Sequence, residues 1–166
     1  MAFERVRFFD GQRLTTADFE TEQNYHISKR RLHNRMLHGF GVVTGLGVSI
    51  ADAQPDAVMV SPGIALDRLG NEILVEESDC IKIDVDQSPC FLAIRYKETP
   101  TDTVPTSDGI EFSRVLEGFE LAIVTDNPGA DENSPLLTLA RLVQQEATWL
   151  VDGSYCPDRV GLRISH

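Results

Sequence analysis

The periodicity of this chain changes at Gly39 and Gly41. Before them apolar and aromatic residues recur at helical intervals, and after them they alternate as in strands. A chain of this pattern folds as one long helix followed by a β-rich body. The helix has a start and a stop written into it. Phe9-Asp10-Gly11-Gln12 is a turn sequence, Thr15 is an N-cap residue, and Asp18 stands three residues on, as in an aspartate version of a capping box. Asp18, Glu20 and Glu22 sit near the positive end of the helix dipole. Lys29, Arg30, Arg31 and Arg35 sit towards the negative end, and Gly39 suits the left-handed residue that ends a helix. The spacing predicts a helix from about Thr16 to His38, about 33 Å long. Phe19, Tyr25, Leu32 and Met36 fall along one side of it, with His26, His33 and Leu37 beside them. Such a mixed stripe packs partly on its own domain and partly on something polar, such as another chain.

Beyond Gly41 the pattern predicts eight to ten strands. They include a glycine-punctuated run from Val42 to Ile50, Ala57–Ser61, a hairpin from Ile64 to Glu76, Cys80–Val85 and Cys90–Tyr96. Residues 98–110 hold two prolines and a run of Thr and Ser, and are expected to form a long loop. Phe119–Thr125 reads as a strand and Asp126–Pro135 as an acidic turn region. Leu136–Gln144 fits helix or strand, and its β-rich surroundings favour strand. Ala147–Val151 and a short Val160–Ile164 close the series. The expected fold is mainly β, sandwich- or barrel-like, with one long N-terminal α-helix. The expected organisation is an N-terminal turn and helix acting as an assembly arm (1–40) and a β-rich domain (41–166).

Length and composition are those of one soluble domain: 166 residues, 42% hydrophobic and 25% charged. No apolar run reaches the roughly 18 residues of a membrane span, and the first residues lack the apolar stretch of a secretory signal. The expectation is cytoplasmic synthesis without direct membrane insertion. Cys80, Cys90 and Cys156 are odd in number and form no close pair, which fits free thiols. The net charge is −11. Residues 1–38 hold seven basic and five acidic side chains, a balance of +2, and the remainder holds eight and 21, a balance of −13. An acidic body repels nucleic-acid phosphate, so no nucleic-acid partner is expected.

The residues offer little for catalysis. His26, His33 and His38 share the helix, but a separation of seven residues places two of them about 10 Å apart, too far to share one zinc ion. Neither HExxH nor Gly-x-Ser-x-Gly is present, and the glycine pairs Gly39/Gly41 and Gly45/Gly47 precede strands, whereas a dinucleotide fingerprint opens a helix. Asp67, Glu72, Glu76 and Glu77 supply material for an acid pair of the glycosidase type or a weak calcium site. With 26 acidic residues in the chain, such neighbours also arise by chance. A glycan-binding platform has only Trp149, Tyr25, Tyr96 and Tyr155 to draw on. No metal, cofactor or enzymatic activity is expected; the alternative is a soluble β-domain that binds a glycan or carries a hydrolase site.

Three stretches carry a resemblance. They are Phe8–Phe19 with Glu22–His26, Arg30–Gly39 with Gly41–Leu46, and Val60–Asp67 with Gly70–Ile73. A later echo runs through Ile94–Tyr96, Glu98–Asp102 and Glu117–Leu121. Together they resemble small accessory proteins of phage-tail-like particles, and are similar to proteins of contractile injection systems and to the N-terminal attachment regions of phage tail fibres. The resemblance implies a non-enzymatic structural subunit or adaptor at a baseplate, fibre-attachment or cap position. Its partners would be other subunits of the particle and further copies of itself, and its final location an assembled particle or virion. The helix supplies the directional groups for such contacts, and Tyr25, His26, Arg30, Arg31, His33, Asn34, Arg35 and His38 are the expected interface residues.

Overall fold

The computed structural model describes residues 3–131 and 133–161. Helix α1 spans Thr16–His33 and continues into a π-helical turn, Asn34–His38. The Asp18 carboxylate accepts from both the backbone N–H and the hydroxyl of Thr15, each at 2.8 Å. These bonds hold the Asp18 pKa below its ordinary value. The turn closes at Gly39, whose φ is +77° and whose N–H reaches back to the Asn34 carbonyl at 3.0 Å.

Ten strands follow: β1 Gly41–Gly45, β2 Val48–Ala51, β3 Gln54–Val60, β4 Gly63–Leu66, β5 Glu72–Val75, β6 Asp79–Lys82, β7 Cys90–Thr106, β8 Gly109–Val124, β9 Leu137–Gln145 and β10 Thr148–Val151. They form three antiparallel sheets ordered β1-β4-β5, β2-β3-β6 and β10-β9-β7-β8. One core joins them, built from Val42, Val58, Val60, Ile73, Val75, Leu92, Ile94, Leu139, Leu142 and Trp149 among others. Alternation is clean where one face meets water, as in β5, where Ile73 and Val75 are buried and Glu72 and Leu74 exposed. It disappears in β9, where Leu137 to Ala140 are all buried, as befits a segment covered on both faces.

The mainly-β class with a single long N-terminal helix is as expected from the sequence. Val42–Ile50 is two strands, split at Leu46, where φ is +55°. Arg159 makes an isolated parallel bridge to Val42. Val160 and Gly161 are not in a strand, and the rest of the expected Val160–Ile164 strand lies outside the described residues. The largest correction concerns residues 98–110. They are not a loop but the far half of a long hairpin in which Glu98 pairs with Glu117 and Pro105 with Ile110. Alternating Thr99, Thr101 and Thr103 carry the β-propensity. β9 pairs only with Cys90–Ile94, so both prolines lie where β7 is an edge strand, the place in a sheet where proline is tolerated.

Candidate assembly interface

The site is built on the turn that joins β4 to β5. Asp67, only 2% exposed, accepts hydrogen bonds from the N–H groups of Leu69 and Asn71 and from Asn71 Nδ2. These bonds fix Gly70 with φ +87°. Gly70 lies against the backbone of Arg31, so close that any β-carbon there would meet the Arg31 carbonyl. One turn further along, the buried Asn34 donates through Nδ2 to the Gly70 carbonyl and to Glu72 Oε1, each at 3.0 Å. The stretches Arg30–Gly39 and Gly70–Ile73, distant in sequence, thus form a single joint. Asp67 and Glu72 are engaged in this joint, not in an acid pair.

A second tie runs to the β7–β8 hairpin. Glu98 and Glu117 stand directly opposite each other across the two strands, an arrangement that repels on its own. Arg31 meets Glu98 at 3.3 Å and Arg30 meets Glu117 at 3.7 Å, so consecutive helix residues neutralise the pair. Tyr96 donates its hydroxyl to Glu98 Oε1 at 2.9 Å, with the Arg31 guanidinium 6.0 Å from its ring centre. Desolvation, that hydrogen bond and the two carboxylates push the Tyr96 pKa up to about 12.

Although fastened at its C-terminal end, α1 buries none of its 18 residues. Tyr25, His26, Lys29, Leu32, His33 and Met36 line an open depression along it. Tyr25 and His26 meet edge to face, His26 lies 3.1 Å from Glu22, and the His33 and His38 rings are 5.3 Å apart. Among the described residues no group of three or more His, Cys, Asp or Glu is placed to hold a metal ion.

The eight expected interface residues therefore divide. Arg30, Arg31 and Asn34 hold the helix to its own chain. Tyr25, His26 and His33 line the depression, and Arg35 and His38 are exposed in the π turn. Sequence reasoning missed a second exposed apolar surface, formed by Ile110, Phe112, Val115 and Leu116 on the hairpin. Its signal was the period-two threonine pattern on the facing strand.

No family model matches the sequence, and no curated protein matches it. Solved structures do share the fold. A chain in the cryo-electron-microscopy structure of the type VI secretion system TssK–TssF–TssG baseplate subcomplex superposes with TM-score 0.61 at 15% identity, over 94% of this chain and 62% of that one. A chain of the type VI secretion baseplate complex gives 0.56 at 17% identity, over 95% and 60%. The crystal structure of TssK gives 0.60 at 12% identity, over 94% and 42%. This chain spans between 42% and 62% of the length of those chains. Its fold is thus one found in the baseplate of a contractile secretion machine.

Proposed function

We propose that this chain is a non-catalytic structural subunit of a contractile injection or phage-tail baseplate, acting through protein–protein contact. In this reading residues 1–40 are the assembly arm and residues 41–166 the β-rich domain that carries it. The finer role is that of an adaptor at a baseplate, fibre-attachment or cap position. The partners are other particle subunits and further copies of the chain, and the protein passes from the cytoplasm, where it is made, into the particle.

One observation carries the reading: α1 is held firmly by its own domain, yet none of its residues is fully buried. Asn34, Gly70 and the Arg30/Arg31–Glu117/Glu98 pairs fix its position, while Phe19, Met36 and Leu37 remain exposed along with the depression. Holding a mixed apolar and polar helix rigidly in solvent has no benefit to folding. It pre-organises a surface, which lowers the ordering cost of binding. The shared fold with baseplate proteins supports the same reading.

The test is co-sedimentation. Tagged full-length protein expressed in its source cells should pellet with sheath, tube and baseplate proteins under gentle lysis. Recovery of all of it as a free 18.4 kDa species, with the particle intact and lacking it, would contradict the proposal.

A further inference from the structure

We propose that residues Phe3–Phe8 of one copy add as a third strand to the free edge of β8 in a second copy. This goes beyond the proposed function, since it names the two segments that would meet between copies and the register of their contact.

The acceptor is the far half of the hairpin. β8 is the last strand of its sheet, and from Gly109 to Glu117 all its residues are exposed. An open edge of this kind templates pairing with another chain unless it is blocked. The two strands of the ribbon differ in proline content. β7 carries Pro100 and Pro105 in this half, whereas β8 contains no proline. The β8 edge also carries large apolar side chains in water, with Ile110 71% and Phe112 58% exposed.

The donor is the arm before the helix. It makes a turn at Phe9–Gln12 and returns along α1, so that Phe3 lies under the Lys29 ammonium at 4.6 Å. Residues 3–8 form neither helix, turn nor strand. Among the described residues no backbone hydrogen bond engages residues 3–8. Among the described residues the arm is thus without a backbone partner, and it has a strand-like alternation of Arg5 and Arg7 against Val6 and Phe8.

Complementarity selects one register. With the arm antiparallel to β8 and Val6 opposite Phe112, Phe8 faces Ile110 and Phe3 faces Val115. Arg7 then faces Glu111 and Glu4 faces Arg114. Three apolar pairs and two opposite-charge pairs form together. A slip of one residue in one direction sets Val6 against Glu111 and Arg5 against Phe112, and in the other it sets Arg5 against Arg114 and Phe8 against Glu111. The contact joins different surfaces of the two copies, so it closes either as a reciprocal exchange or as a ring.

The experiment uses full-length chains with the exposed Cys80 and Cys156 changed to Ser. Arg7→Cys and Glu111→Cys are placed on separate chains with tags of different size, co-expressed and mildly oxidised. Directly opposed strand residues lie close enough for a disulfide. The expected result is a covalent pair of unlike chains, with at least about tenfold less product when Phe112→Cys, on the other face, replaces Glu111→Cys. Glu111→Arg should weaken self-association in sedimentation equilibrium by about tenfold, and Arg7→Glu combined with Glu111→Arg should restore it. Any of three results would overturn the proposal: no cross-link, equal cross-linking in the slipped register, or self-association indifferent to Glu111→Arg. None of these would alter co-sedimentation with the particle, which tests the proposed function separately.

Discussion

Gly70 lies directly against the carbonyl of Arg31, and its φ of +87° belongs to the region that only glycine enters freely. The β4–β5 turn and the helix backbone are in contact with no side chain between them. Gly70→Ala therefore combines left-handed strain with a backbone collision. It should cost about 2–4 kcal/mol. The cost should appear in urea denaturation, and amide exchange should accelerate in residues 27–38 before the β-sheets open.

Asn34 supplies the buried polar link of the same joint. Asn34→Ala removes two hydrogen bonds and leaves the Gly70 carbonyl without its partner, at about 1–3 kcal/mol. Asn34→Asp should be worse, because it turns a carboxylate towards the Glu72 carboxylate and the Gly70 carbonyl. Equilibrium unfolding of the two variants checks the order: an aspartate variant as stable as wild type would mean that Asn34 is not the donor described.

The arginine pair has a charge logic that exchange experiments can read. Arg30→Glu with Arg31→Glu places four carboxylates at the hairpin crossing and should loosen the helix. Exposed pairs of this kind are worth about 0.2–1 kcal/mol each, so the loss is modest and fades in salt. Adding Glu98→Arg and Glu117→Arg should restore it. Circular dichroism melts at low and high salt measure both effects.

Tyr96 gives a signature at high pH. Its pKa lies at about 12 against an ordinary 10.0, so the folded state holds the phenol proton more tightly than the unfolded chain does. The resulting stability is complete below pH 10 and is lost as the pH rises towards 12. Glu98→Ala removes the hydrogen bond and one of the raising charges and should bring the titration down. Ultraviolet absorbance of the phenolate, as the difference between wild type and Tyr96→Phe, reports it. Titration at the ordinary value would contradict the half-buried, hydrogen-bonded geometry.

Local signals made much of this architecture legible. The Thr15–Asp18 cap, the stop at Gly39 and the Asp67–Asn71 turn are short-range chemistry, and each stands where the sequence places it. The long hairpin was not legible, because Pro100 and Pro105 mark a loop in any local reading. Their tolerance depends on β9 ending its pairing at Ile94, a fact of sheet topology. The division of the basic cluster was equally hidden. Arg30 and Arg31 find Glu117 and Glu98 only because a hairpin of 35 residues brings those glutamates back opposite one another beside the helix. Arg35, four residues beyond Arg31 on the same stretch, is left exposed in the π turn.

In the proposed function the exposed face of α1 is the surface that joins the particle. Leu32→Asp together with Met36→Asp tests it most directly, since both side chains line the depression and neither belongs to the buried core. The expected result is an unchanged thermal transition and a loss of co-sedimentation with baseplate proteins. Normal co-sedimentation by a folded double variant would contradict it.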